Sequence, residues 1–295
     1  MALHILAPCK INLVLNILGR RPDGYHELET VMYPVPLFDE LDLEPANNGV
    51  ELSCSDPVLP RGASNLVVRA AEAFFEHSNV KGGVRIRLVK KIPVAAGLGG
   101  GSSDAAQTLV GLNELFGRPL GADVLSELAA KLGSDVPYFL NPGPALATGR
   151  GEHIEPLRRF HLFDELWVLL VYPGFGVPTR WAYKALQKFP SALNGAPGRA
   201  RRFVEHVYAG NLSGAVDELY NALEAPVLTK YPLLQLYRDF LNSQGAIAAM
   251  MSGSGSTIFA LTSNEREAHR IRQRLIEKFG STLWSCVVPA GARRE

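Results

Sequence analysis

Residues 93–104, with the sequence PVAAGLGGGSSD, constrain this chain more than any other segment. Four of the five residues from 97 to 101 are glycines, so no Cβ atom shields the backbone N–H groups there. Two serines and an aspartate follow, and then a helical pattern begins. Exposed amides at the start of a helix form an anion site, most often for phosphate. A tight strand-to-helix turn would need only one or two glycines, so the segment favours a phosphate-binding loop.

The loop matches neither of the two common nucleotide-binding motifs. No lysine follows its glycines as in the Walker A motif, and the glycines do not fall in the G-x-G-x-x-G register of Rossmann folds. Ser102 or Ser103 is expected to cap the helix or to reach a phosphate or Mg²⁺. Asp104 is expected in the first helical turn, where its charge favours the helix dipole. The loop therefore indicates a nucleotide-using enzyme outside both classes.

Length and composition narrow the class of protein. With 295 residues, 47% of them hydrophobic, the chain suits one large or two modest domains. A net charge of +1 argues against a nucleic-acid-binding surface. Cys9, Cys54 and Cys286 form no C-x-x-C pair, so we expect a reducing compartment with neither a disulfide framework nor a zinc site. The longest apolar runs, such as residues 166–172, are too short to span a bilayer. We expect a cytoplasmic protein that binds no membrane.

The first half of the chain alternates strand and helix patterns. Apolar alternation over residues 11–18 and 25–35, around the turn at residues 22–24, predicts a β-hairpin. Asn65 is predicted to open a helix, and a strand over residues 84–88 leads to the glycine-rich loop. Asp123 is predicted to cap a further helix.

The second half has a different order of elements. Strands are predicted at residues 166–172, 246–251, 257–261 and 281–288, with a helix-rich stretch after the first strand and a helix before the last. This order is typical of a ferredoxin-like α+β fold. We place the domain boundary between residues 156 and 157, which gives domains of residues 1–156 and 157–295.

Two charged residues are candidates for catalysis. Lys10 begins the first strand next to Asn12, and most lysines in such a place are solvated. Asp135 follows a helix in the sequence GSDVP and precedes apolar residues. A carboxylate on such a segment is either a positioned base or an ordinary turn or N-cap aspartate.

Two further segments have open interpretations. Tyr25 and His26 follow the hairpin turn, where they either stack on and hydrogen-bond a nucleobase or form a core tyrosine and a surface histidine. Residues 252–256, with the sequence SGSGS, lie between two apolar strands. They form either a plain hairpin loop or a second phosphate contact.

Taken together, these motifs resemble the GHMP kinase superfamily, which includes galactokinase, homoserine kinase, mevalonate kinase and phosphomevalonate kinase. Its Pro-x-x-x-Gly-Leu-Gly-(Gly/Ser)-Ser-Ser-type loop matches residues 93–103. Within the superfamily the chain is similar to members that phosphorylate the 2-hydroxyl of 4-diphosphocytidyl-2-C-methyl-D-erythritol in non-mevalonate isoprenoid synthesis. The similarity spans the whole chain, and its discriminating residues are 8–13, 21–28, 97–103, 133–137 and 252–256.

The resemblance implies an α+β, two-domain GHMP kinase fold. Its N-terminal domain is of the ribosomal-S5-like type, its C-terminal domain is ferredoxin-like, and its active site lies in the cleft between them. The implied ligands are ATP with Mg²⁺ and a small cytidyl substrate, with no nucleic acid and no metal ligand assigned. The implied oligomeric state is a monomer or weak homodimer.

The resemblance also assigns roles to individual residues. Asp135 is the implied catalytic base and Lys10 its partner. Tyr25 and His26 are expected to sandwich and read the cytosine, and Asn12 and Thr179 to contact the substrate. Met32 departs from the pattern, since relatives often carry an aromatic residue near the cytidine. The implied ATP-binding residues are Asn65 and Lys90 near the adenine, with the loop residues Pro93, Val94, Ala95, Ala96, Gly97, Leu98, Gly99, Gly100, Gly101, Ser102 and Ser103.

Three alternatives remain from the sequence. The first is another small-molecule GHMP kinase of the mevalonate or homoserine type, whose substrate has no base for Tyr25 and His26 to bind. The second is a non-catalytic nucleotide-binding protein, which would not need both Lys10 and Asp135. The third is a nucleic-acid-binding module, which the near-neutral charge disfavours.

Overall fold

The structure is a computed structural model that describes residues 2–291. The chain divides into two compact units, each built from several segments. Unit 1 contains the chain up to Cys9 together with Leu37–Val94 and Gly99–Pro142. Unit 2 contains Lys10–Pro36, Ala95–Leu98 and the chain from Gly143 onward. The domain boundary that the sequence suggests after residue 156 stays a prediction.

Unit 1 combines strands with three helices. Strand β4 (Gly83–Val89) pairs antiparallel with β2 (His26–Ala46) and parallel with β3 (Gly49–Cys54). Helix α2 (Gly100–Leu115) packs closely on the first strand, since a Cβ at Gly111 would lie only 2.0 Å from Cδ1 of Ile5. The elements are β1 (Leu3–Arg20, in this unit up to Cys9), β2 (His26–Ala46, in this unit from Leu37), β3 (Gly49–Cys54), α1 (Leu66–Ser78), β4 (Gly83–Val89), α2 (Gly100–Leu115), α3 (Ala122–Leu132) and a 3₁₀ turn (Pro137–Leu140).

The starts of α1 and α3 test two predicted caps. Asn65 is the N-cap of α1, as predicted, and its Oδ1 accepts a hydrogen bond from the Val67 N–H at 2.9 Å. The prediction that Asp123 caps α3 is wrong, because the N-cap is Gly121 and Asp123 lies within the first turn. A carboxylate in the first turn interacts favourably with the positive end of the helix dipole, although it is not the N-cap.

Unit 2 contains the predicted hairpin of β1 and β2 and a second sheet. β1 and β2 are neighbours in their sheet, and the turn between them is closed by a 2.8 Å hydrogen bond from the Arg21 N–H to the Tyr25 carbonyl. The further elements are β5 (Ala145–Gly149), β6 (His153–Pro156), β7 (Trp167–Tyr172), α4 (Thr179–Ala185), α5 (Pro190–Leu193), α6 (Arg199–Tyr208), α7 (Leu212–Glu218), β8 (Tyr220–Asn221), α8 (Glu224–Lys230), α9 (Pro232–Ser243), β9 (Ala248–Met251), β10 (Ile258–Thr262), α10 (Glu265–Phe279) and β11 (Trp284–Pro289).

The second sheet has the strand order β11-β7-β10-β9, and every neighbouring pair is antiparallel. Numbered by their place along the chain, these strands run 4-1-3-2, with helices after the first and third. The ferredoxin-like arrangement predicted from the sequence is thereby confirmed. Leu169 and Val171 of β7 and Ile258 and Ala260 of β10 are completely buried in the core beneath the helices. Within residues 2–291, no helix has both the length and the apolar character that crossing a membrane requires.

Candidate active site

The glycine-rich loop turns sharply and leads directly into helix α2. Ala95, Gly97 and Gly99 have positive φ angles of 54°, 80° and 73°, which residues other than glycine rarely adopt. Gly99 is the N-cap and α2 begins at the next residue, so neither Ser102 nor Ser103 caps the helix, and the alternative that one of them reaches a phosphate or Mg²⁺ stays a prediction. The first amides of α2 have no partner within the helix and lie at the positive end of its dipole. This end of α2 therefore favours an anion.

Carbonyl groups of the loop are bound by other parts of unit 2. The Thr257 N–H donates to the carbonyl of Ala96 at 3.1 Å, and the Lys10 N–H donates to that of Leu98 at 2.9 Å. The carbonyl of Gly97 accepts from the Ser252 hydroxyl and from the Lys10 ammonium. These hydrogen bonds fix residues 96–98 to β1 and to the chain around the start of β10.

Gly97 lies against the second glycine–serine loop, residues 252–256. A Cβ at Gly97 would be 2.2 Å from the carbonyl oxygen of Ser252, closer than real Cβ contacts allow. Both the positive φ and the close approach require glycine here.

We expect Gly97→Ala to lower the free energy of unfolding more than Gly117→Ala does. Gly117 has nearly the same φ, +78° against +80°, but a Cβ there would have no other atom within 4 Å. Each change adds the strain of a positive φ, about 1–2 kcal/mol, and only Gly97→Ala adds the clash. Urea unfolding of both variants measures the difference, and equal losses would contradict the close packing of the two loops.

Lys10 is almost completely buried, with 4% of its surface exposed, so the alternative of an ordinary solvated lysine is wrong. Its Nζ donates to Oδ1 of Asn12 at 2.5 Å and to the carbonyl of Gly97 at 3.3 Å. Asn12 is itself held, because its Nδ2 donates to the Thr30 hydroxyl at 2.9 Å. Two predicted site residues, Lys10 and Asn12, thus lie together beside the loop segment of unit 2.

Residues 252–256 form the hairpin loop between the antiparallel strands β9 and β10. The Ser252 hydroxyl donates to the carbonyl of Gly97 at 3.0 Å and accepts from the Asn12 N–H at 3.4 Å. The plain hairpin interpretation is therefore correct, and the loop also contacts the Lys10 site. A phosphate contact by this loop stays a prediction.

Tyr25 lies at the surface and His26 is partly buried, so the interpretation of a core tyrosine with a surface histidine is wrong. Tyr25 is 56% exposed, and the guanidinium of Arg150 lies 4.7 Å from the centre of its ring. His26 is half-buried, and its Nε2 is buried with no hydrogen-bond partner among the described residues. Burial and the nearby charge of Arg20 lower the pKa of His26, so its imidazole is neutral at pH 7. A neutral imidazole with an unused nitrogen is suited to hydrogen-bond a nucleobase.

Helix α4 connects the histidine with the second loop. The Thr179 hydroxyl lies 2.9 Å from the Ser254 hydroxyl, and the Tyr183 ring lies 5.3 Å from the His26 ring. Thr179 and Tyr183 are four residues apart, so they share one face of the helix. Tyr183 is not among the site residues predicted from the sequence, although its spacing of four residues from Thr179 was a usable signal. Met32, the departure from the family pattern, is buried in β2.

Asp135 and Asn65 are placed in unit 1. Asp135 is half-buried in the turn between α3 and the 3₁₀ turn at Pro137–Leu140. The Asn65 side chain, beyond its capping bond, donates from Nδ2 to the carbonyl of Pro60 at 2.7 Å. The side chain of Asn65 thus serves the start of α1, and its role in adenine binding stays a prediction.

Lys90 forms a buried ion cluster in unit 1. Its Nζ donates to Oδ2 of Asp39 and, at 2.7 Å, to Oδ2 of Asp104. All three side chains are at most 7% exposed. Asp39 also accepts from the Lys91 and Ile92 N–H groups at 2.5 and 2.9 Å. The cluster therefore ties the chain before the glycine-rich loop to helix α2 after it.

Asp104 is the carboxyl group of this cluster that takes up a proton most readily. It lies in the second turn of α2, so its predicted place in the first turn is wrong. Burial, together with repulsion from Asp39, raises the pKa of Asp104 to about 7 despite the attraction of Lys90. The two carboxylates outweigh burial at Lys90 and raise the pKa of its ammonium. Oδ1 of Asp104 is buried and has no partner among the described residues, which explains why Asp104 takes up the proton.

We expect stability to fall between roughly pH 4 and pH 7 because of Asp104. Its pKa is higher in the folded than in the unfolded chain, so the folded state binds more protons there, and stability decreases as pH rises. Asp104→Asn resembles the protonated form and does not titrate. Urea unfolding at pH 5 and pH 8 measures this: relative to the wild type, the variant should have a higher free energy of unfolding at pH 8 than at pH 5. The same pH dependence in both proteins would contradict the assignment to Asp104.

Comparison with known proteins identifies the class. The family model described as GHMP kinases N terminal domain matches residues 65–143, and the one described as GHMP kinases C terminal matches residues 192–281. A crystal structure of homoserine kinase from Cytophaga hutchinsonii superposes with a TM-score of 0.75 over 97% of this chain and 93% of the other, at 20% identity, which shows the shared fold. The two family models together show that the chain is a GHMP kinase.

Closer relatives narrow the class further. A 4-diphosphocytidyl-2-C-methyl-D-erythritol kinase of Pelotomaculum thermopropionicum is 44% identical over 275 residues, which are 93% of this chain and 94% of the relative. A crystal structure of 4-(cytidine 5'-diphospho)-2C-methyl-D-erythritol kinase is 36% identical, with a TM-score of 0.82 over 99% of this chain and 100% of the other. The chain belongs to the 4-diphosphocytidyl-2-C-methyl-D-erythritol kinase family of GHMP kinases, and the fold and family predicted from the sequence are confirmed.

Proposed function

We propose that this chain transfers the γ-phosphoryl group of ATP to the 2-hydroxyl of 4-diphosphocytidyl-2-C-methyl-D-erythritol, which gives ADP and the 2-phosphate. The relatives carry the name of this kinase. The observation that supports the proposal most directly is the glycine-rich loop that runs into the N-terminus of α2. That end of the helix offers free amides and a positive dipole to the phosphates.

Phosphoryl transfer depends mainly on positioning and on neutralising charge, because its transition state is loose. We assign Asp135 to orient the substrate hydroxyl and to accept its proton as the new O–P bond forms. The Lys10 ammonium, oriented by Asn12 and the Gly97 carbonyl, supplies positive charge to the reacting groups. The amides of the glycine-rich loop hold the phosphate chain.

Mg²⁺ is the ion that we expect to accompany ATP. No group of three or more His, Cys, Asp or Glu side chains in residues 2–291 could hold a metal by itself. Mg²⁺ commonly binds through substrate phosphates and one or two protein ligands. The Ser103 hydroxyl is buried and without a partner among the described residues, so it fits such a ligand. When bound, the ion would neutralise charge on the phosphates.

We assign His26, with Tyr25 and Tyr183, to the cytosine. His26→Ala should raise the KM for the cytidyl substrate about 10–100-fold, because a buried polar group of the base would lose its partner. The KM for ATP should stay unchanged. His153→Ala, at a histidine whose side chain is 74% exposed, is the matched control. Steady-state kinetics with each substrate varied test this, and equal weakening of both would make His26 a structural residue.

A substrate panel tests the proposed reaction itself. The full chain is incubated with Mg-ATP and, in turn, the cytidyl erythritol, mevalonate and homoserine, and ADP release is measured. We expect turnover of the cytidyl compound alone. Phosphorylation of mevalonate or homoserine instead would favour the alternative of another small-molecule GHMP kinase. A cytoplasmic location and a monomer or weak homodimer remain our expectations for this enzyme.

A further inference from the structure

The segment that lies against Lys10 is itself held by a residue outside the motifs described so far. A Cβ at Gly253 would be 3.3 Å from Nζ of Lys10 and 3.3 Å from Oδ1 of Asn12, so the Gly253 backbone borders the lysine directly. The neighbouring Ser252 hydroxyl bonds both the Asn12 N–H and the Gly97 carbonyl. The position of residues 252–253 therefore affects both groups that bind the ammonium.

Asn221, at the end of β8, fixes this segment by hydrogen bonds from its side-chain amide. Its Nδ2 donates to the carbonyls of Met251 and Gly253, both at 2.8 Å, so one amide bonds the residues on either side of Ser252. Its Oδ1 accepts from the Leu223 N–H at 2.9 Å, which fixes the orientation of the amide. Asn221 is 3% exposed and pairs with Leu15 of β1. Asn221 thus links the second loop to β8, which pairs with β1, the strand that carries Lys10.

Glu224 reinforces the same segment. Its Oε1 accepts from the Met251 N–H at 2.8 Å, and its Oε2 accepts from the Arg238 guanidinium at 2.8 Å. The N–H and the carbonyl of Met251 are therefore both bound by side chains three residues apart, Asn221 and Glu224. A hairpin loop that needed only to connect two strands would not require this.

We propose that Asn221 is a positioning residue for phosphoryl transfer: through the Met251 and Gly253 carbonyls it sets the place of Ser252 and Gly253, and thereby of the Lys10 ammonium. This inference rests on the proposed role of Lys10. Asparagine is suited to the task because one amide supplies two donors and an acceptor. A displacement of about 1 Å at a reacting group can cost about 10²-fold in rate.

A double-mutant cycle tests the inference. Asn221→Ala should lower kcat about 10²-fold with smaller changes in either KM, and Asn242→Ala, at an exposed asparagine on α9, should not. In a Lys10→Ala background, Asn221→Ala should cause little further loss, since residues that act through one another are not additive. A loss that multiplies with that of Lys10→Ala would mean that Asn221 affects turnover independently of Lys10 and would overturn the inference.

The outcomes separate this inference from the proposed function. If Lys10→Ala alone keeps the wild-type kcat, the role of Lys10 fails, and the inference fails with it. If Lys10→Ala is impaired but Asn221→Ala has normal kcat, only the inference fails. Should Asn221→Ala not fold, Ser252→Ala replaces it in the same cycle, because it removes the next link to Asn12 and Gly97 without leaving a buried charge. Multiplicative losses there overturn the inference equally.

Discussion

Replacing Asp135 with asparagine should lower kcat by about 10²–10⁴-fold, the usual contribution of a general base. Asparagine keeps the shape of the side chain and can still bond a hydroxyl, but it cannot take the proton. Asp135 lies in a short turn between α3 and the 3₁₀ turn at Pro137–Leu140, so the change breaks no helix. The KM for ATP should stay close to that of the wild type.

Asp123→Asn is the matched control for this prediction. Asp123 is an exposed aspartate of the same unit, in the first turn of α3, and it has no proposed role in the reaction. Steady-state kinetics with saturating ATP measure both variants against the wild type. Near-normal turnover by Asp135→Asn, or an equal loss in both variants, would remove Asp135 from the role of base.

Features that depend on neighbouring residues could be predicted from the sequence. The β1–β2 hairpin follows from apolar alternation on both sides of a Pro-Asp-Gly turn. The start of α1 follows from the capping chemistry of Asn65. The ferredoxin-like unit follows from the order of its strands and helices. Anion binding by the glycine-rich loop could be predicted from its composition alone, because unshielded amides at the start of a helix commonly bind phosphate.

Features that depend on contacts between distant residues could not be predicted from local patterns. Lys90 and Asp39 are 51 positions apart, and nothing near Lys90 in the sequence distinguishes it from Lys91. Lys10 is buried because residues 97 and 252–253 pack on it, and no periodicity shows that. The predicted N-cap of α2, Ser102 or Ser103, also lay three or four residues beyond the actual one, since several consecutive glycines and serines can all begin a helix.

Replacing Lys90 with methionine should lower the free energy of unfolding by about 3–5 kcal/mol, the usual cost of breaking a buried ion pair. The change leaves the Asp39 and Asp104 carboxylates buried without their cation. Asp39 keeps two backbone donors, but Asp104 keeps none that the described structure shows. The loss should shrink at acidic pH, because protonation removes the unpaired charge. Urea unfolding at pH 5 and pH 8 measures both effects.

Lys91→Met is a control from the adjacent position. Lys91 pairs with Glu40 at the surface, where its side chain is 50% exposed, so its loss should change stability little. Adding Asp104→Asn to Lys90→Met should restore much of the lost stability, since the carboxylate most in need of the cation is then neutral. Two lysines that are neighbours in sequence would thus differ in effect because burial, and not charge alone, decides what an ion pair contributes. Equal losses for Lys90→Met and Lys91→Met would contradict the buried cluster and, with it, the attachment of the glycine-rich loop to α2 through Lys90.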